Sequence, residues 1–444
     1  MSETVELLMA LLDAEAELEQ LLGDQWPALR DELADLVGRL DAEGENAVHR
    51  RQVDAFVGRL LDNPVTRQAA RNVMTQVQSG TETNRQTRGA ARFGEGKTGA
   101  VKESDTTQSA TVDGCIVVPV FYGTDRAFRT DLDVRRCYLG ERGTLGFGVA
   151  RVSIPASSVH DIGKLESPRW WRLEFKPDVR KHVVLLDLKP MGREPFVQEL
   201  RASLASADER DVLIFVHGYT VGFADAARRA AQVAVDLKFN GRTALYSWPS
   251  AGSALKYTID EASVEWSVPH FQEFLRLLLA DVGARAVHVI AHSMGNRALV
   301  RGLERIDVAT LPSGSATLRQ IVFAAPDIDR DTFVELARVF SGRVQRITLY
   351  TSSEDIPLML SKLLHRYPRA GDAGAGLVIV EGVDTIDASR ADTSLVSLRH
   401  SYFGNKRSIL HDIHNLIVKG DPPDSRFDLE PVLSPLGRYW LYRT

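Results

Sequence analysis

Cysteine is nearly absent from this chain: there are two in 444 residues, Cys115 and Cys137. Two thiols cannot build the disulfide framework of a small secreted domain, so a reducing, cytoplasmic setting is expected, with a single Cys115–Cys137 pair left open by the spacing. Excess positive charge is also missing. The 54 Lys and Arg stand against 59 Asp and Glu, a net charge of −5, which argues against general nucleic-acid binding. No apolar run approaches the roughly 20 residues that span a bilayer, so no transmembrane segment is expected. The opening MSETVELLMALLDAEAELEQ carries acids through its apolar stretch and has no basic leading segment, so it does not read as a secretory signal. What remains is an ordinary globular composition, 44% hydrophobic and 25% charged, long enough for two or three domains and at least one large core.

Residues 1–77 read as a small helical bundle. Val5, Leu8, Leu11, Leu12, Leu18, Leu21 and Leu22 recur at helical spacing, and Leu29 to Leu40, Val53 to Leu61 and Val65 to Val77 continue the pattern. Charge is uneven here: the first 45 residues hold 13 acids and two arginines, whereas residues 50–92 hold eight arginines and three acids. Acidic helices lying beside basic ones account for this, and so does a module that recruits a protein partner through a charged face. Residues 78–113 are rich in Ser, Thr, Gly, Gln and Asn and read as a flexible linker. Within them, Gly96-Lys97-Thr98 imitates a phosphate-binding loop, but the first glycine and the preceding buried strand are missing, so nucleotide binding is not expected.

From residue 114 to 444 the texture is that of an α/β domain. Strands are predicted at Cys115 to Tyr122, Leu145 to Ile154, Trp170 to Phe175 and Val183 to Leu188, with a turn at Gly123-Thr124-Asp125-Arg126. A helix is predicted at Phe196 to Leu204. Strands at Val212 to Val216, Thr243 to Trp248, Val287 to Ile290, Ile321 to Ala324, Arg346 to Tyr350 and Leu377 to Val383 then alternate with amphipathic helices. These helices are Ala224 to Leu237, Val264 to Leu279, Thr332 to Phe340, Ile356 to Leu364 and Ser408 to Val418. Buried strands alternating with helices imply a mainly parallel sheet with helices on both faces.

The stretch AVHVIAHSMGN, Ala286 to Asn296, carries the chemistry. A β-branched run stops at Ala291-His292-Ser293-Met294-Gly295 and a helical segment follows. A serine on such a junction, with small residues two positions to either side, reads as a nucleophile elbow. The usual first glycine is Ala291, which satisfies the same need for smallness. An acyl-transfer serine needs two N–H groups aimed at the developing oxyanion. One is expected at Met294, directly after the nucleophile. The other is expected at Tyr219, in the His217-Gly218-Tyr219-Thr220 loop that follows a strand. In this fold the acid and then the base follow the serine in sequence, which leaves His365, His400, His411 and His414 as bases. His400 is favoured because it lies between the last strand and the last helix. For the acid, Asp355 after one strand competes with Asp327 and Asp329 after the preceding strand, where helix capping is the alternative role.

The blocks HGYTVGFADAARRAAQ, LYSWPSAG, AHSMGNRAL, FAAPDIDRDTF, LYTSSEDIPLMLS and RHSYFG, with VPVFYGTDR and VARVSIPAS before them, resemble a family of bacterial α/β-hydrolases described as esterases or lipases. The resemblance covers about residues 115–420. It implies the α/β-hydrolase fold and a triad falling on Ser293, Asp355 and His400. On this reading a small-molecule or lipid carboxylic ester is the expected substrate, and no metal or organic cofactor is required. A hydrolase effector controlled through residues 1–77, in defence or signalling, is the alternative.

Overall fold

A computed structural model describes residues 32, 110–112, 114–167, 177–251, 257–352, 367–390 and 407–443. The chain separates into two compact units, Met1–Thr106 with Ala254–Lys256 and Thr107–Ser253 with Tyr257–Thr444, and the architecture below is that of the second. Apart from Glu32, the helices expected in residues 1–77 lie outside the described residues, as do the strand at Trp170 to Phe175 and the helix at Ile356 to Leu364.

The element order begins β1 (Ala110–Val112), β2 (Cys115–Phe128), β3 (Tyr138–Ile154), β4 (Val184–Met191) and α1 (Arg193–Ala205). It continues β5 (Asp211–Val216), α2 (Phe223–Asp236), β6 (Arg242–Ser247), α3 (Tyr257–Ala280), β7 (Ala286–His292) and α4 (Gly295–Arg305). Then come β8 (Thr317–Ala324), α5 (Arg330–Phe340), β9 (Arg346–Thr351), β10 (Asp384–Asp387), α6 (Arg407–His414), β11 (Leu429–Ser434) and β12 (Gly437–Tyr442). The strands form one sheet in the order β11-β12-β10-β9-β8-β7-β5-β6-β2-β3-β4, with β1 paired to β2. From β2 through β6, β5, β7, β8, β9 and β10 to β12 every neighbour is parallel. Pairing at β3, β4, β1 and β11 is antiparallel.

The two-residue period of the central strands feeds two cores. Val212, Ile214 and Val216 of β5, with Val287, Val289 and Ala291 of β7, face a core shared with α1, α3, α4 and α5. Leu213, Phe215 and Ile290 face the other, shared with α2 and α6. Strands buried on both faces explain why these runs are continuously apolar rather than alternating. Among the described residues no helix is long and apolar enough to cross a membrane.

Three expectations need correction. The stretch Gly123 to Arg126 does not turn; β2 runs on to Phe128, with register shifts at Thr124/Arg126 and Arg126/Phe128. Its polar side chains are buried and bonded rather than solvated: Thr124 Oγ1, for example, donates to the Ser247 carbonyl at 2.6 Å. The apolar run Leu377 to Val383 is not a strand. It packs Val378 and Val380 on the core, turns through the Val383 N–H to the Val380 carbonyl at 3.2 Å, and passes Gly382 at φ +82° before β10 starts at Asp384. A C-terminal hairpin, β11 and β12, extends the sheet beyond the predicted last strand. Smaller differences also appear. Ala110–Val112, inside the stretch expected as a linker, pair with β2, and the last helix widens into a π-helical turn at Asn415–Lys419. Cys115 and Cys137 are not paired with each other; their thiols donate to the carbonyls of Val179 and Val134.

Candidate active site

Strand β5 has β6 on one side and β7 on the other, so the chain leaves β5 in one direction and later returns on the opposite side. The loops after β5 and β7 therefore emerge side by side beyond the carboxyl ends of the strands, where an open parallel sheet gathers its chemistry. The first loop begins at His217 and the second holds Ser293.

Ser293 has φ +47°, a left-handed conformation unusual for a residue with a Cβ. Its backbone is fixed from both sides. The N–H donates to the Ala324 carbonyl at 3.0 Å, and its own carbonyl accepts from the Asn296 N–H at 3.1 Å and from Asn296 Nδ2 at 2.8 Å. The Asp327 N–H adds a fourth bond at 3.3 Å, and Asn296 Nδ2 also reaches the Ala324 carbonyl at 3.2 Å. None of these bonds uses the serine hydroxyl. Backbone held in such a region costs on the order of 1–3 kcal/mol and persists only where its surroundings over-determine it, as they do here. Met294 caps α4, whose N-terminal N–H groups and dipole lie at this corner.

The need for small residues is visible in the packing. A Cβ on Gly295 would stand 2.3 Å from the His217 carbonyl oxygen. One on Gly218 would stand 2.8 Å from His292 Nδ1 and 3.2 Å from the Ser293 Cβ. The elbow and the His217–Thr220 loop are thus in direct backbone contact, and Ala291, wholly buried in the core, meets the remaining size limit. The structure brings Ser293, Met294 and the Gly218–Tyr219 segment together.

Asp327 and Asp329 part company. Asp329 is the N-cap of α5 and accepts the Thr332 N–H at 2.8 Å, which is the capping role expected of it. Asp327 does not cap. It is buried beside Ser293, its Oδ2 accepts the Tyr257 hydroxyl, and its Oδ1 lies 3.3 Å from Arg369 Nε. Arg297 donates to its carbonyl at 2.8 Å and to Glu261 at 2.6 Å. Burial first, and then the Asp327 carboxylate, hold the Tyr257 proton firmly on its oxygen. The Tyr257 ring also meets the Tyr219 ring edge-on, with centroids 5.6 Å apart. Asn296 and Arg297 are the site residues to which the sequence assigned no role. For Asn296 the only local signal is a polar side chain three residues after the serine, where the helix is otherwise apolar on that face.

Of the four candidate bases, two are described, and both are engaged elsewhere. His414 Nδ1 bonds the Leu237 carbonyl at 2.7 Å, at the end of α2 just before β6 and hence at the amino ends of the strands, opposite the loop that holds Ser293. His411 lies on the surface, 3.3 Å from Asp428. His365, His400 and Asp355 lie outside the described residues. His217, the first residue of the loop after β5, is buried and stacked on Trp248 with ring centroids 5.1 Å apart. Burial, and then the Arg126 cation, push its pKa well below the usual imidazole value, so the ring is neutral. Trp248 itself is fully buried, donating from Nε1 to the His217 carbonyl at 2.8 Å. Among the described residues no group of three or more His, Cys, Asp or Glu is placed to hold a metal ion.

Comparison with curated proteins finds no match. A protein-family model, that of an alpha/beta hydrolase of unknown function (DUF900), matches residues 193–419, from the start of α1 to the end of the π-helical turn after α6. That span holds the elbow, the loop after β5 and the strand order that sets them side by side. The chain belongs to this family of α/β-hydrolases.

Proposed function

We propose that the chain is a serine hydrolase that cleaves carboxylic esters. The observation that carries the reading is Ser293 at positive φ on a strand-to-helix corner, with Gly218 packed against it. Ser293 Oγ attacks the acyl carbon while His400 takes its proton, and Asp355 orients His400 and stabilises the imidazolium. The N–H groups of Tyr219 and Met294 receive the oxyanion, each worth about 3–4 kcal/mol in the barrier. His400 returns the proton to the leaving alcohol, and water then releases the acyl group by the same steps. The engagement of both Asp327 oxygens and of Asp329 supports Asp355 as the acid, and the positions of His411 and His414 support His400 as the base.

A small-molecule or lipid ester fits this chemistry, and a chain-length series of aryl esters defines the acyl pocket. In Ser293→Ala, both turnover of short aryl esters and labelling by a fluorophosphonate probe are expected to vanish. Activity equal to the parent protein in a clean preparation would remove the assignment.

A further inference from the structure

Arg126 is a buried cation that bonds no carboxylate among the described residues, an expensive arrangement unless its geometry is used. Its guanidinium bonds reach Ser247, Leu139, Ser250, Val221 and His217. Nε donates to Ser247 Oγ at 2.9 Å, and Nη1 to the carbonyls of Leu139 at 3.1 Å and Ser250 at 3.2 Å. Nη2 donates to the Val221 carbonyl at 2.6 Å and lies 3.3 Å from His217 Nε2. An arginine can only donate, so Nε2 must be the acceptor and the His217 proton sits on Nδ1. Ser247 Oγ, 3.1 Å from the same Nε2, agrees with that tautomer. Nδ1–H then meets the Gly218 carbonyl at 2.7 Å. In a planar trans peptide the N–H points opposite to the carbonyl. Fixing the Gly218 carbonyl on the histidine side therefore turns the Tyr219 N–H to the other side.

The next residue is pinned as well. Thr220, β-branched and at φ +59°, donates its N–H to Asp260 Oδ2 at 3.2 Å. The same buried carboxylate accepts Ser250 Oγ at 2.5 Å and the Ala251 N–H at 2.7 Å. Arg126 and Asp260 thus hold the loop at consecutive points: His217 and Val221 from one, Thr220 from the other.

We propose that Arg126 and Asp260 are positioning residues that aim the Tyr219 N–H at the oxyanion formed on Ser293, Arg126 acting through the tautomer of His217. The proposal rests on the serine-hydrolase reading and adds to it two residues that touch no substrate. Arg126 precedes the matched family region, and both residues are distant in sequence from the loop they set.

The test uses the full chain and two readouts: fluorophosphonate labelling rate of Ser293, and hydrogen exchange of the peptide spanning residues 212–222. Arg126→Met and Asp260→Asn are expected to exchange faster in this peptide with the other central strands unchanged, and to label about tenfold or more slowly, a fraction of what losing an oxyanion donor costs. Arg126→Lys, which keeps the charge but not the fork, is expected to fall between. If Arg126→Met does not fold, Asp260→Asn carries the test. Unchanged exchange, or faster exchange with labelling at the parent rate, overturns the proposal. A parent protein whose Ser293 does not react at all removes the hydrolase reading itself, and so the two failures are told apart.

Discussion

Gly295 lies so close to His217 that a Cβ on the glycine would stand 2.3 Å from the histidine carbonyl oxygen. That atom is backbone, and Trp248 already bonds it, so it cannot step aside. Gly295→Ala is therefore expected to cost about 1–3 kcal/mol or more through overpacking, measured by urea unfolding, and to abolish fluorophosphonate labelling by shifting the elbow. Gly218→Ala meets a side-chain atom, His292 Nδ1, and is expected to cost less stability while still blocking the site. Equal stability of Gly295→Ala and the parent would show that the loop and elbow are not in contact.

Ser293 supports a second test, independent of any substrate. Its φ of +47° is accessible to glycine without strain, whereas alanine keeps the strained Cβ. At an ordinary helical or extended position glycine is the less stable of the two by about 0.5–1 kcal/mol. Here the order should reverse, with Ser293→Gly more stable than Ser293→Ala by about 1 kcal/mol and both inactive. If alanine is the more stable replacement, the serine is not held in the left-handed conformation.

The sequence and the structure agree best where the signal is local. Val287, Val289 and Ile290 announced a buried strand, and the small residues at 291 and 295 announced the tight corner after it. The His217-Gly218 loop was legible because glycine after a strand has few other uses. Arg126 was not legible: its neighbours Gly123, Thr124 and Asp125 are turn residues in isolation, and only burial against β3 and β6 makes them strand. Leu377 to Val383 failed for the converse reason, since apolar residues at irregular backbone can cover a core as well as a strand can. The place of β12 beside β10 depends on pairing between segments far apart in the chain, which no local pattern carries.

The acid can be assigned by comparing two substitutions. Asp327 is bonded by Tyr257 and faces Arg369, so Asp327→Asn removes a buried charge from a paired site and is expected to destabilise the fold by about 3–5 kcal/mol. Asp355→Asn is expected instead to lower kcat by about 10⁴-fold with little loss of stability, because the amide no longer selects the required histidine tautomer. Measuring ester turnover and thermal unfolding on both variants separates the roles. A large kcat loss in a fully stable Asp327→Asn protein would move the acid to Asp327.

His160 gives the protein a pH dependence that does not involve Ser293. It joins the loop before β4 to the end of α2, with Nδ1 2.9 Å from Glu166 and Nε2 2.9 Å from Asp236, and all three side chains are buried. Burial alone would lower its pKa, but the hydrogen bonds and charges of Asp236 and Glu166 prevail and push it up to about 9. The folded state thus binds this proton more tightly than the unfolded chain, whose value is near 6.5. The stabilisation is complete below about pH 6.5 and drains away as pH rises through about 9, amounting to about 3 kcal/mol in full. Urea midpoints of the parent protein and of His160→Gln, taken near pH 6 and near pH 10, isolate this contribution from that of other groups. The parent should lose more stability across the interval than the variant, because glutamine has no proton to surrender and leaves Glu166 and Asp236 facing each other at both pH values. Parallel losses in the two proteins would mean that the histidine is neutral in the folded state and that the clasp is held by hydrogen bonds without charge.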